Sequence, residues 1–496
     1  MTADELREAR DALAATVERF ARAEIAPHVT AWDAAGEFPR ALYRRAADLG
    51  LLGLGYPEAY GGTPAPHALR LPMWVALCRY GASGGVLASL LSHNIGLPPV
   101  LALGSEDVKR EVIPPVLAGE RIAALAITEP GGGSDVAALR TTAQREGGDY
   151  VVDGEKIFIT SGMRADWITV AVRTGDGRGA KDISLLLVPG DSQGLSRTRL
   201  DKMGWLCSDT AHLRFDGVRV PARYLLGDEG AGFKAIMGNF NAERFGIACA
   251  ALGFSMACYD EALVWAQQRQ TFGSPLVGHQ VVRHKLVDMQ QRIRSTAAWL
   301  ETVAARADAG DTGADWVGEV CVLKNHATQT MQFCADAGVQ ILGGMGYMRH
   351  GVRAHLPRGE GADHRRRHRG NHERPGGPSV AHDLRDFRPW RAPIKRKQLR
   401  IEEQYVRQSH HHLFHHRRAD RPRPAPRARD ARATGGRGAA RLRRGRVGGA
   451  RALSAADAGQ GAPAVVGPGG CQSLRGWHAR RLPRPHHQPD DRGGGA

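Results

Sequence analysis

Near Ala123 the apolar residues of this 496-residue chain stop recurring at helical spacing and begin to alternate, and from about Gly232 the helical spacing returns. Two changes of hydrophobic period leave few architectures open. A 3.6-residue repeat buries one stripe of a helix, whereas a two-residue repeat buries one face of a sheet. In the first segment "TADE" offers a capping box from Thr2 to Glu5, followed by Leu6, Leu13, Val17 and Phe20 at helical spacing. "AADLGLLGLGYPEAYGG" reads as a helix that closes at Gly50. In the second, "YVVDGEKIFITSG" sets Asp153-Gly154 between β-branched runs, a hairpin signal, and "DWITVAVRT", "DISLLLVP" and "AHLRFDGVRV" follow as strands. In the third, Val282, Leu286, Met289, Ile293 and Leu300 form one stripe of a long helix whose neighbours are equally long, the pattern of a bundle.

The expected fold is therefore α+β and multidomain: an N-terminal α-helical domain over residues 1–122, a middle β-barrel over 123–230 and a C-terminal α-helical bundle over 231–353. A basic, disordered tail over 354–496 completes it.

Charge separates that tail from the rest. The net charge of +17 is an average of two unlike stretches: residues 1–353 carry 36 Lys+Arg against 39 Asp+Glu, and residues 354–496 carry 32 against 12. Clustered basic residues suit a nucleic-acid arm. Here, however, Lys395 and Lys397 are the only lysines, and 13 of the 21 histidines fall in the same stretch. An Arg/Ala/Gly/Pro/His mixture of this kind is what GC-rich codons give out of frame, so no specific nucleic acid is expected as a partner. "SHHHLFHH", from Ser409 to His416, has metal-binding side chains without an ordered scaffold, and no metal site is expected. The seven cysteines are scattered and form no CxxC, which favours a reducing compartment and a cytoplasmic location. "MTADELREAR" is not a signal peptide, and no run of about 18 apolar residues offers a membrane span.

"LAITEPGGGSDVAALRTTA" stands where helices hand over to strands. Its three glycines leave backbone N–H groups approachable, and Thr128 and Ser134 bracket them with hydroxyls, an arrangement suited to an anionic or carbonyl-rich ligand. A tight turn capped by Ser134 and Asp135 accounts for the same residues. The order "ITEPGGGSD", "DGEKIFITSG", "RQTFGSPL", "VQILGGMGY" is more specific: over about residues 5–350 the chain resembles the acyl-CoA dehydrogenase family of flavoproteins. That family's helical, β-barrel and four-helix-bundle domains agree with the order of periods.

The resemblance implies FAD as cofactor. Leu125, Ile127, Thr128, Gly133 and Ser134 would line it, and Phe158, Ile159 and Thr160 stand where the family has "WIT", with Phe158 keeping an aromatic ring but no indole N–H. Arg269 and Phe272 of "RQTFG", Gln280, and Gln340, Ile341, Gly343 and Gly344 would line the same site, Arg269 pairing with the pyrophosphate of FAD in a neighbouring subunit. Removing a proton α to a thioester requires a carboxylate in a dry pocket. In "NFNAERFGIA" Glu243 fits the family class with its base on this helix, while Arg244 and Asn241, together with Ser134, would contact substrate. The implied partners are an acyl-CoA, an electron-transferring flavoprotein as acceptor, and three further copies in a homotetramer. A flavin oxidase or monooxygenase, a DNA-binding relative and an inactive product of a frameshifted gene are the competing readings.

After Tyr347 the family pattern stops. With one choice of synonymous codons for Arg353 to Val380, a one-base shift recovers "ERIYRE" and then "GGGTEE", the continuation expected in this family. The reading frame is therefore expected to slip between about Met348 and Ala354. The resemblance implies a second class whose base stands just before the "GT" of this segment; the recovered text has glycine there, which again leaves the role to Glu243.

Overall fold

The computed structural model describes residues 2–175, 177 and 179–348. The expectations placed on residues 349–496, namely the frame slip, the disordered tail and the histidine run, lie outside the described residues. Eight helices open the chain: α1 (Ala3–Phe20), α2 (Val29–Ala35), α3 (Ala41–Asp48), α4 (His67–Gly81), α5 (Gly84–Leu90), α6 (His93–Gly96), α7 (Pro98–Leu103) and α8 (Glu106–Leu117). The capping box forms as expected, with the Glu5 N–H donating to Thr2 Oγ1 at 3.2 Å and the Thr2 N–H to the Glu5 carboxylate at 2.7 Å. After α3 the chain turns at Gly50, whose φ of 72° suits glycine.

Eight strands follow: β1 (Ala123–Ala126), β2 (Thr142–Glu146), β3 (Asp149–Thr160), β4 (Trp167–Arg173), β5 (Ile183–Pro189), β6 (Leu195–Arg199), β7 (Thr210–Pro221) and β8 (Leu225–Leu226). They form one sheet in the order β6-β7-β3-β2-β4-β5-β8, with β1 paired in parallel to β4. β5 and β7 lie four places apart in this order yet approach each other, so the sheet curls around its apolar interior. Ile168, Val170, Leu186, Val188, Leu213 and Val220 fill that interior, each contributing about 1.5–3 kcal/mol by leaving water. The expected hairpin at Asp153-Gly154 is corrected: the turn falls at Gly147-Gly148, and β3 runs through Gly154. Gly154 sits at a register shift against β7 with φ 140°, where a Cβ would lie 2.7 Å from the Thr141 Cα. It marks a bulge and a close backbone approach rather than a chain reversal.

The long helices are α9 (Gly232–Gln268), α10 (Gln280–Asp308) and α11 (Ala314–Leu342); the hairpin β9 (Gln270–Thr271) and β10 (Ser274–Pro275) joins the first two, and α12 (Gly344–Tyr347) follows the third. Leu286, Met289, Ile293 and Leu300 are buried, with Val282 at the rim of the stripe. α9 packs on α4, α10 and α11. Gly253 permits the closest approach to α4, because a Cβ there would lie 2.6 Å from the Val75 carbonyl. Arg79 of α4 donates to both carboxylate oxygens of Asp260 on α9, at 2.7 and 2.9 Å, a bidentate pair that fixes rotation as well as distance. α9 is long and apolar enough to cross a bilayer, but 56% of its most apolar stretch is buried in the protein, as in the core helix of a bundle.

Candidate functional site

β1 carries the chain into the glycine loop. The Ile157 N–H of β3 donates to the Thr128 carbonyl at 2.8 Å, and Glu129 and Gly132 close the turn on each other through backbone bonds of 3.1 and 3.0 Å. The tight turn thus exists, closed by backbone, and Asp135 makes no side-chain cap. Leu125 is half-buried, and the Ile127 side chain is in the core. Thr128 is half-buried, while Gly133 and Ser134 are exposed. A Cβ at Gly131 or Gly132 would meet nothing within 4 Å, and at Gly133 would only touch Thr128 Cγ2 at 3.4 Å. None of the three has a positive φ. The chain's own sterics do not call for glycine here, so the residue type fits close approach by a ligand.

Beneath the loop lies a buried ion pair whose two residues both fall within the motifs. Lys156 Nζ donates to Glu129 Oε1 at 2.7 Å and to the Ile127 carbonyl at 3.1 Å. The Glu129 carboxylate also accepts from the Arg140 N–H at 2.6 Å, the Thr141 N–H at 2.9 Å and the Thr141 hydroxyl at 2.6 Å. Burial pushes the Glu129 carboxyl up, but the Lys156 charge and the bonds from Lys156 and Thr141 outweigh it and hold it below its ordinary value. Burial pulls Lys156 down to about 8 against the pull of Glu129.

Two residues beyond Lys156, Phe158 has φ 62° and is 66% exposed. A left-handed phenylalanine is an outlier that its surroundings must enforce. It lies in a second register shift of β3, between Lys156 and Ile159, and a bulge of this kind re-aims a side chain. Ile159 is buried in the sheet interior and Thr160 is half-buried, so of the three "FIT" residues only Phe158 offers its ring outward.

Glu243 lies on α9, half-buried. Burial raises its carboxyl above the ordinary value and the adjacent Arg244 charge pulls it back in part. Among the described residues no hydrogen bond holds that carboxylate. Arg244 donates to Asn241 Oδ1 at 2.8 Å and lies over the Phe240 ring at 5.8 Å. Asn239, one turn before Glu243, is buried and donates to the Ile95 carbonyl at 2.9 Å, tying this turn of α9 to α6.

A second group sits at the far end of α9. Arg269 is exposed where α9 ends, and among the described residues it pairs with no carboxylate. Phe272 and Gly273 have φ of 51° and 76°, the signature of a two-residue hairpin turn, and Phe272 is 99% exposed. Gln280 opens α10 and is exposed. Gln340, Gly343 and Gly344 are exposed where α11 ends, and Ile341 is buried. No hydrogen bond or ion pair among the described residues links this group to the loop, Phe158 or Glu243. Among the described residues, no three His, Cys, Asp or Glu side chains are placed to hold a metal ion.

A glycine-opened loop, an outward aromatic ring, an exposed arginine and an under-solvated carboxylate sit on a helical, β and helical frame. Family profiles match all three parts: "Acyl-CoA dehydrogenase, N-terminal domain" over residues 7–120, "middle domain" over 124–218 and "C-terminal domain" over 230–359. An acyl-CoA dehydrogenase of Bacillus subtilis is 37% identical over 335 residues, covering 67% of this chain and 87% of that protein. The crystal structure of a probable acyl CoA dehydrogenase from Mycobacterium abscessus superposes with TM-score 0.68 and 45% identity, covering 71% of this chain and 92% of that one. A chain from a structure described as the electron transferring flavoprotein of Acidaminococcus fermentans follows at TM-score 0.67 and 28% identity, covering 71% and 91%. The chain belongs to the acyl-CoA dehydrogenase family, whose members are flavoprotein oxidoreductases acting on acyl-CoA.

Proposed function

We propose that this protein dehydrogenates an acyl-CoA thioester between its α and β carbons to give a trans-2-enoyl-CoA, with Glu243 as the base. The observation that carries this reading is the Glu243 carboxylate itself, desolvated, raised by burial and held by no hydrogen bond among the described residues. A carboxylate spared strong donors keeps the basicity that removal of a weakly acidic α proton demands. In the step the α C–H bond breaks, the Glu243 O–H forms, and the electron pair left on the α carbon becomes the new C=C bond as hydride leaves the β carbon. Arg244, oriented by Asn241, is assigned to the CoA portion, where a guanidinium suits phosphate or amide oxygens. Asn241 and Ser134 are assigned to the same substrate.

The residues present fit FAD. The open glycine face with Leu125, Ile127, Thr128, Gly133 and Ser134 offers backbone and hydroxyl donors, and Phe158, backed by Ile159 and Thr160, offers a ring to stack on. FAD, when bound, supplies the acceptor for the β hydride. Arg269, Phe272 and Gln280, with residues 340–344, form a separate surface in the single chain, which supports their serving the site of a neighbouring subunit in a homotetramer. We assign reoxidation to an electron-transferring flavoprotein and the location to the cytoplasm.

Turnover of straight and branched acyl-CoAs with an artificial electron acceptor tests the reading. Glu243→Gln should lose roughly 10²–10⁴-fold in kcat while still taking up FAD. Undiminished turnover by Glu243→Gln would sink the assignment, and rapid oxygen consumption without an acceptor would favour an oxidase instead.

A further inference from the structure

The left-handed Phe158 needs something to hold it, and the β3–β4 connection shows what does. Just past the bulge, Ser161 is again left-handed, with φ 59°. Two non-glycine residues in this conformation, three apart, are not a relaxed turn. The Ser161 N–H donates to the Asp209 carbonyl at 3.0 Å. The Asp209 carboxylate accepts from the Met163 N–H at 2.9 Å through one oxygen and from Arg164 Nε at 2.9 Å through the other. Asp209 is 1% exposed, and it stands immediately before β7, the strand against which the bulge is formed. Arg164 then reaches the N-terminal domain, donating to the Phe38 carbonyl at 2.9 Å and lying over the Phe38 ring at 4.8 Å.

We propose that Asp209 is a positioning residue for the flavin site: its carboxylate and carbonyl pin residues 161–164, and that pin holds Phe158 turned outward. The inference rests on the assignment of Phe158 to FAD. An aspartate is required because both carboxylate oxygens face N–H donors. An asparagine of the same size must turn its NH₂ toward one of them, replacing an attraction by a clash of donors.

The test uses the full chain with Asp209→Asn, Arg164→Lys as a second variant, and Asp216→Asn, an exposed acid on β7, as control. Amide hydrogen exchange without added flavin should accelerate at least roughly tenfold at Ser161 and Met163 in Asp209→Asn, with the core of β4 still protected. FAD titration should show binding weakened roughly ten- to hundredfold, and the visible flavin band of the residual complex should shift, a readout that mere loss of stability does not move. Arg164→Lys should do the same more weakly, and Asp216→Asn should do neither. Unchanged exchange at residues 161 and 163 overturns the proposal. So does faster exchange with FAD affinity and spectrum unmoved. If the wild-type chain takes up no FAD, the functional reading falls, while the exchange data still decide whether Asp209 holds the turn.

Discussion

Replacing Glu129 by alanine strands a buried ammonium, and the cost can be worked from the geometry. The Lys156 side chain is 0% exposed and its partner 8%. Once unpaired, Lys156 can shed its charge by releasing its proton. From an ordinary value of 10.5, doing so at pH 7 costs about 5 kcal/mol, at about 1.4 kcal/mol per unit. Burial beside Glu129 already draws the lysine down to about 8, so most of that cost is present in the wild type and about 1–2 kcal/mol is left for the variant to lose. The N–H groups of Arg140 and Thr141 and the Thr141 hydroxyl also lose a charged acceptor, at about 1 kcal/mol each. Glu129→Ala is therefore expected to cost about 4–5 kcal/mol, a large share of a domain's stability. Lys156→Met should cost less, about 1–2 kcal/mol, because the carboxylate keeps its three other donors.

Urea unfolding at pH 7 followed by circular dichroism measures the difference, and hydrogen exchange of β3 amides localises it in a chain of several domains. Glu129 is held below its ordinary value of 4.5. Its contribution is then complete above about 4.5 and lost only as pH falls through the lower folded value, whereas a Lys156 kept neutral in Glu129→Ala costs about 1.4 kcal/mol more for each unit of acidification below pH 7, so the gap between wild type and variant should widen from pH 7 toward 4.5. A cost under about 1 kcal/mol, or Lys156→Met proving worse than Glu129→Ala, would refute the reasoning.

Glu243 should behave in the opposite sense: burial raises its carboxyl, so its ionised form costs the folded state about 1.4 kcal/mol per unit of rise. Glu243→Gln should therefore be at least as stable as wild type at pH 8 and lose that advantage as the pH falls toward 4.5; a variant less stable at every pH argues against a desolvated base. Turnover by the wild type should rise with pH through the raised value. Arg269→Ala, at an exposed residue without a carboxylate partner among those described, should leave stability within about 0.5 kcal/mol and weaken FAD binding roughly ten- to hundredfold; unchanged affinity removes Arg269 from the cofactor's contacts. Sequencing codons 345–375 from independent genomic template should reveal a one-base change that restores "ERIYRE" and "GGGTEE"; an unchanged frame removes the shifted-frame account of the tail.

What the sequence disclosed and what it hid divide along a physical line. The stripe from Val282 to Leu300, the Thr2 cap and the turn at Gly50 were legible because each is set within a few residues of chain. Asp153-Gly154 misled for the complementary reason: the need for glycine there comes from Thr141, just before the neighbouring strand, a contact that local spacing does not contain. Glu243 was legible as a position in a motif, but not its desolvation, which depends on how α9 packs. Glu129 and Lys156 lie 27 residues apart and are of types that usually face water.

The strand's own phase nevertheless held a trace of them. In β3 the inward residues are Tyr150, Val152 and Lys156, and then the buried position slips to Ile159. Carrying the two-residue count from Tyr150 places a lysine inside the sheet, which is tolerable only beside a buried carboxylate. The same count puts Phe158 inward and Ile159 outward. For the isoleucine to be buried and the phenylalanine exposed, the strand must gain a residue between them, and that extra residue is the bulge that turns Phe158 toward solvent. The lysine carried inward was thus legible from the count alone, whereas Ile157, Phe158 and Ile159 are all apolar and their spacing does not say which turns outward; pairing with β7 decides that.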